Sequence, residues 1–379
     1  MRTSLRRPLA GLTALAAVAV GSACTSTEDT GGSGGGAIEV TASDESCELS
    51  ETDLDAGLHT FEVTNDGSQV TEFYVYAEGD RIMQEVENIG PGLTSELRVE
   101  LPAGDYEGAC KPGMIGDGIR TPISVTGEAA EALSDQDELQ AAEESYSRYV
   151  QTQSRSLVDL SQQFVDAVKA GDVEEAKRLF PISRTPWERI EPVAEIFGDL
   201  DPAVDARVND IAEGDEWTGF HRIEQALWVR NTTEGMTPYA DKLMADINEV
   251  VRLAEEQPLT ALQLAQGSKA LLDEVATGKI TGEEDRYSHT DLWDFKANVE
   301  GSQAAVQALR PALQQRDAAL VKTLDTQFAA VLASVEKYRE GDGFVSYDKV
   351  TEPERKQLST TLDALAEPVS KVAAVVAQK

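Results

Sequence analysis

The chain has 379 residues, enough for two domains with separate cores. It carries 68 acidic against 33 basic side chains, a formal net charge of −35. That balance argues against nucleic-acid backbones and anionic lipid surfaces as partners, and it is compatible with cationic ligands.

The first residues read as an export signal. Arg2, Arg6 and Arg7 form a basic start, and Leu9 to Val20 is apolar but short for a membrane span. Val20-Gly21-Ser22-Ala23-Cys24 resembles a lipobox, in which Cys24 becomes the lipidated first residue of the mature chain. Gly21 stands where such motifs usually have Leu, and ordinary signal cleavage near Ala23 is the alternative. Residues 25–36 lack apolar side chains and are rich in glycine, the composition of a flexible tether. The expected order is therefore a signal peptide (1–23), a lipidated cysteine with linker (24–36), a β domain (37–126) and a helical domain (127–379).

In residues 37–126 apolar side chains alternate with polar ones. Ile38 and Val40, Phe61 and Val63, Phe73 and Val75, and Leu97, Val99 and Leu101 each mark a half-buried strand. Asn65-Asp66-Gly67 and Ala103-Gly104-Asp105 read as turns. Short strands at this spacing predict a small sandwich. With Cys24 set aside, Cys47 and Cys110 form an even pair, which in an exported domain suggests a disulfide. The loop Gly108 to Met114 holds Cys110 and Met114 but no histidine, and His59 is the domain's only one. A blue-copper site needs two histidines, so an ordinary electron-transfer copper centre is not expected. Met114 is more simply a packing residue.

From about residue 128 the period lengthens to that of helices. Tyr146, Val150, Leu157, Leu160, Phe164 and Val168 lie on one stripe. Thr237-Pro238 opens a helix that carries Val250, Leu253 and Ala254. Pro258-Leu259-Thr260 opens another, with Leu262, Leu264, Leu271 and Leu272. The last runs from Glu354 to Val376 with Leu358, Leu362 and Leu365 inward. Gly171-Asp172, Gly198-Asp199 and Gly341-Asp342-Gly343 read as breaks. Long helices with short connections predict an up-and-down bundle.

Within this domain His221 and Glu224 stand three residues apart, one turn along a helix face. The chain has only three histidines. An imidazole nitrogen with a carboxylate oxygen suits iron, zinc or manganese. The bland alternative is a core histidine satisfied by a neighbouring glutamate. His289 lies in the polar segment Tyr287-Ser288-His289-Thr290-Asp291, a plausible place for a ligand. Glu188 follows Trp187, where it would also favour a helix dipole; Glu191, one turn on, could take its place. The His-Glu-x-x-His motif of zinc peptidases is absent, and no Ser/His/Asp or Cys/His set is legible.

Gly219-Phe220-His221-Arg222-Ile223-Glu224-Gln225-Ala226-Leu227-Trp228 resembles the Gly-x-His-x-x-Glu signature of the imelysin-like family. Residues 183–192, around Trp187-Glu188, resemble its Trp-Glu helix start, and residues 279–295 resemble its second histidine-bearing segment. The likeness covers about 140–378. Residues 37–126 are more weakly similar to the family's cupredoxin-like (Cup) module, so the whole resembles the two-module iron-uptake branch, the EfeO type. That resemblance implies a cupredoxin-like β-sandwich followed by two four-helix bundles packed as one domain. It implies a metal site of Glu188, His221, Glu224 and His289, and copper ligands Cys47, Glu72 and Cys110 in the Cup module, with a Cys47–Cys110 disulfide as the rival. The implied role is capture of iron (Fe2+ or Fe3+) outside the membrane for an EfeU-type permease, beside an EfeB-type haem peroxidase. Zinc also fits the donors, and copper-assisted oxidation of ferrous iron stays open. Binding is expected rather than catalysis. The alternatives are a metallopeptidase acting on extracytoplasmic polypeptides and a polymer-binding module with a structural metal.

Overall fold

The computed structural model describes residues 36–128, 133, 136–211, 214 and 216–378. The expected signal peptide, Cys24 and residues 25–35 of the tether lie outside them.

The alternating stretches form strands of a two-sheet sandwich. One sheet has the order β2-β1-β4-β7, from Cys47–Leu49, Ile38–Ala42, Gly57–Asn65 and Thr94–Leu101. The other has the order β3-β9-β8-β5-β6, from Asp53–Asp55, Ile119–Thr126, Gly104–Cys110, Thr71–Ala77 and Arg81–Ile89. β1 runs parallel to β4 with Val40 opposite Val63, and β4 pairs antiparallel with β7, placing Phe61 opposite Leu97. Phe61, Val63, Phe73, Val75, Leu97, Val99 and Ile123 fill the space between the sheets. Each such side chain contributes on the order of 1.5–3 kcal/mol by leaving water.

Cys47 on β2 and Cys110 on β8 belong to opposite sheets and are joined by a disulfide, with Cα atoms 5.5 Å apart. This corrects the copper-ligand alternative. Bridged sulfurs offer no thiolate, and Glu72 is on the wrong face. Phe73 pairs with Cys110 and packs with it in the core. Glu72, one residue earlier, accepts a hydrogen bond from the Tyr74 hydroxyl at 2.8 Å on the other face. There Tyr74 and Tyr76 stack, and the Lys111 ammonium lies 3.9 Å from the Tyr74 ring centre.

The helical part begins with α1 (Asp137–Ala170), whose buried face carries Tyr146, Val150, Leu157, Phe164 and Val168. Gly171 (φ 80°) ends it, and the Asp172 carboxylate caps α2 (Val173–Ile190) by accepting from the Glu175 N–H. α2 corrects one expectation. Trp187 and Glu188 lie near its end, not its start, because the helix continues through Pro181 and Pro186. Next come α3 (Leu200–Asp205), α4 (Gly219–Val229), α5 (Thr237–Glu256), α6 (Ala261–Thr277), α7 (Asp291–Arg316), α8 (Ala318–Val335), α9 (Glu352–Val369) and α10 (Val372–Val376). Gly341 sits between two short paired strands, β10 (Arg339–Glu340) and β11 (Gly343–Phe344). The long final stretch is two helices rather than one, parted just after Pro368.

Among the described residues α1, α2, α4 and α5 pack as one four-helix group and α6 to α9 as another, joined where α7 lies against α1 and α2. Two glycines set how closely they approach. A Cβ at Gly267 on α6 would stand 1.7 Å from the Pro192 carbonyl oxygen, and one at Gly301 on α7 would stand 2.4 Å from that of Arg189. Their absence lets the end of α2 lie on α7 and the 3₁₀ turn after it (Glu191–Phe197) lie on α6, which carries Glu188 and Glu191 toward the centre of the domain. The helical stretch Ala318–Tyr338, most of it α8, is long and apolar enough to cross a membrane by length and composition alone, and one face of it, with Leu320, Leu324, Phe328 and Val331, is buried in the bundle.

Candidate metal centre

The centre is built around α4. Gly219 starts this helix with φ 81°, a conformation that suits glycine. A Cβ there would meet the Val204 carbonyl oxygen at 2.3 Å. The glycine of the Gly-x-His-x-x-Glu pattern thus lets α4 abut the end of α3, two residues from His221 and one residue from Asp205.

His221 and Glu224 are both buried, at 1 % and 0 % exposure. Their contact is a hydrogen bond, His221 Nδ1 to Glu224 Oε2 at 2.9 Å. The other Glu224 oxygen, Oε1, accepts from the Tyr287 and Ser288 N–H groups at 3.0 and 2.7 Å. Glu224 is therefore filled by donors and holds the imidazole by one nitrogen. The other nitrogen, Nε2, has no hydrogen-bond partner among the described residues. It faces Asp205 Oδ1 at 3.6 Å and Glu284 Oε1 at 3.5 Å. Two ligand atoms about 2.1 Å from one ion at tetrahedral angles stand about 3.4 Å apart, close to the separation of each of these carboxylate oxygens from Nε2. His221, Glu224 and Asp285 form a second close group on the Nδ1 side.

Carboxylates surround this core, and protein cations partly balance them. Arg184, 0 % exposed, donates to Asp205, to Glu188 and to Glu284, and its Nε lies 3.7 Å from both Asp285 and Asp294. Lys279 donates to Glu188 at 3.1 Å and Glu191 at 2.6 Å. Arg207 donates to the outer oxygen of Glu284 at 3.1 Å. Asn298 fixes Glu188 at 2.9 Å. Among the described residues, oxygens of Asp285, Asp291 and Asp294 have no hydrogen-bond donor.

Burial and charge divide the acids into two kinds. Burial pushes Glu284 up, but Lys279, His221 and Arg207 outweigh it and hold the group well below the carboxylate range. Burial with like-charged neighbours raises Asp291 to about 8 and Asp294 well above its usual value. For His221, burial and Arg184 act downward, but Glu224, Glu284 and Asp205 prevail and raise it to about 10. Without a metal, imidazolium and guanidinium supply the positive charge between these acids.

The four residues expected as one site are not all brought together. His221 and Glu224 touch. Glu188 lies one guanidinium away, across Arg184. His289 is apart: it is half-buried at φ 59°, with its N–H on the Asp285 carbonyl and its carbonyl accepting from Tyr347. Among the described residues no hydrogen bond or ion pair joins its ring to the cluster. Its segment serves the centre through backbone N–H groups instead. Asp205, Glu284, Asp285 and Arg184 escaped notice in the sequence. The last three fall in stretches already singled out, but single acids carry little signal in a chain with 68 of them. A cleft of about 750 Å³ lies between β6 and α6, and its lining does not include His221.

Residues 142–372 match the imelysin family and residues 11–121 a cupredoxin-like domain. The chain is 39 % identical over 345 residues to the iron uptake system component EfeO of Escherichia coli (strain K12), covering 89 % of this chain and 91 % of that protein. The protein of the same description from Shigella flexneri matches to the same extent.

Proposed function

The chain belongs to the imelysin family in its two-module EfeO form, and we propose that it is the extracytoplasmic, iron-capturing component of an uptake system. The ion it carries is Fe2+ or Fe3+, held by Asp205, His221 through Nε2, and Glu284. Glu224 orients the imidazole from behind, the arrangement in which a carboxylate fixes a metal-binding histidine. Glu188 and Glu191 shape the field from beyond Arg184 and Lys279. In this reading an EfeU-type permease receives the iron, an EfeB-type haem peroxidase works beside it, and lipid on Cys24 holds the protein at the membrane. The disulfide leaves the Cup module as a support rather than a copper centre.

The observation that carries the reading is the buried Nε2 of His221, which makes no hydrogen bond among the described residues and faces two carboxylate oxygens at 3.6 and 3.5 Å. Such a group costs free energy unless something satisfies it. The test is anaerobic calorimetric titration of the purified mature protein with Fe(II), paired with a peptide-library digest. Stoichiometric binding without cleavage is the expected result. Cleavage that chelators abolish would assign the metallopeptidase reading instead. Intact mass showing acyl chains on Cys24 tests the anchor.

A further inference from the structure

We propose that Arg184 sets how tightly this centre grips its ion. It is a permanent cation built among the ligands, and it keeps binding weak enough to reverse. The proposal rests on the reading above, in which the ion lies between Asp205, His221 and Glu284.

The guanidinium and the ion use the same oxygens. Nη1 of Arg184 donates to Asp205 Oδ1, and Nη2 donates to Glu284 Oε1 at 3.2 Å. Those two oxygens are the ones that face His221 Nε2. The other cations nearby differ in this respect. Arg207 and Lys279 both approach Glu284 from its other oxygen, Oε2, at 3.1 and 3.9 Å. Arg184 alone among these three touches both inward-facing ligand atoms.

Arg184 has little freedom to withdraw. It is fully buried, and its guanidinium carbon lies 5.7 and 5.6 Å from the ring centres of Phe180 and Phe220. Glu188, one turn along α2, takes another Nη2 bond and is itself fixed by Lys279 and Asn298. Nor can it discharge, since a guanidinium does not lose its proton in a protein. An incoming ion must therefore sit beside a fixed positive charge that shares its oxygens. In a buried site that repulsion is weakly screened. A carrier that must hand its ion onward gains a lower barrier to release from such a neighbour.

The experiment uses the mature protein and Fe(II) alone, titrated anaerobically, with wild type, Arg184→Gln, Arg184→Lys and His221→Ala. Arg184→Gln should bind Fe(II) roughly tenfold or more tighter and lose it more slowly to a competing chelator. Arg184→Lys keeps the charge and should stay within a few-fold of wild type. Unchanged or weaker binding in a natively helical Arg184→Gln overturns the proposal and makes Arg184 a residue that positions Asp205 and Glu284. Should Arg184→Gln not fold, Arg184→Gln/Glu188→Gln is compared with Glu188→Gln. The double variant should bind tighter by a similar factor, and equal affinity overturns the proposal. Equal Fe(II) binding in His221→Ala and wild type would instead remove the site reading, and the proposal with it.

Discussion

In the β-sandwich the sulfurs of Cys47 and Cys110 close on each other inside a core of Phe61, Phe73, Val75 and Leu97. In the helical module the interior holds Arg184, Lys279 and His221 among Glu188, Glu224, Glu284, Asp285 and Asp294, with half-buried Asp205 at the edge. The first interior is complete as it stands, since apolar burial and a covalent link need no further partner. The second leaves an imidazole nitrogen and several carboxylate oxygens unsatisfied, a state that burial makes costly. Polar groups retained at that cost point to where the chemistry is. On the proposed reading metal dependence belongs to the helical module and cross-link dependence to the sandwich, and each can be broken separately.

The largest effect is expected at His221. His221→Ala should lower iron affinity by about a hundredfold or more, because outer-shell changes alone typically cost 10–100-fold. Helical circular dichroism should stay native, and calorimetry of the folded variant reads the loss. Unaltered affinity would return His221 to the role of a core residue.

Replacing Cys47 and Cys110 together by Ala should destabilise the sandwich by about 2–5 kcal/mol, read by denaturant unfolding. Iron affinity should not change. A large affinity loss in this variant would break the comparison, for it would place metal chemistry in the Cup module.

Glu224→Gln sharpens the account of the centre itself. The carboxylate accepts from His221 on one oxygen and from two N–H groups on the other. A carboxamide can accept on one side only, so one arm must be lost. If Glu224 orients the imidazole, affinity should fall about tenfold. A loss as deep as that of His221→Ala would make Glu224 a direct ligand.

The smallest effect concerns pH, and its sign separates the empty centre from the loaded one. In the folded, metal-free protein His221 holds its proton to about 10 rather than 6.5, and Asp291 to about 8 rather than 3.8. The unfolded chain releases both protons at the lower values. Between these limits the folded state binds more protons, so stability falls as pH rises. Glu284, held low, acts in the opposite sense only below its ordinary 4.5. The melting temperature of the metal-free protein should thus drop by about a few degrees from pH 6.5 to 8. Iron affinity should rise over the same range, because the ion displaces the His221 proton. Differential scanning calorimetry with and without iron checks both signs.

Much of this was legible in the sequence, for identifiable reasons. Period-two runs such as Phe61/Val63 and Leu97/Val99/Leu101 are strands because one face of each is core. The α1 stripe and the Thr260 cap of α6 follow from side-chain spacing and local hydrogen bonds. Of the centre, His221 and Glu224 were readable, since a helix fixes their relation by itself. Asp205 was not. It reaches His221 because α3 and α4 meet at Gly219, which is a tertiary contact. Glu284 and Arg184 are joined across 100 residues, a distance over which no local pattern carries information. His289 misled for the same reason: a polar histidine-bearing loop was recognised, but which atoms it turns to the centre depended on packing, and those atoms are the backbone N–H groups of Tyr287 and Ser288.

The most direct test of the central claim is an X-ray structure of the mature protein loaded with iron, with anomalous differences measured at the iron edge. The account predicts a peak bounded by His221 Nε2, Asp205 and Glu284, with Glu224 still on Nδ1 and Cys47 still joined to Cys110. A peak beside Cys47, Cys110 and Glu72, or one ligated by His289 and not by His221, would contradict it.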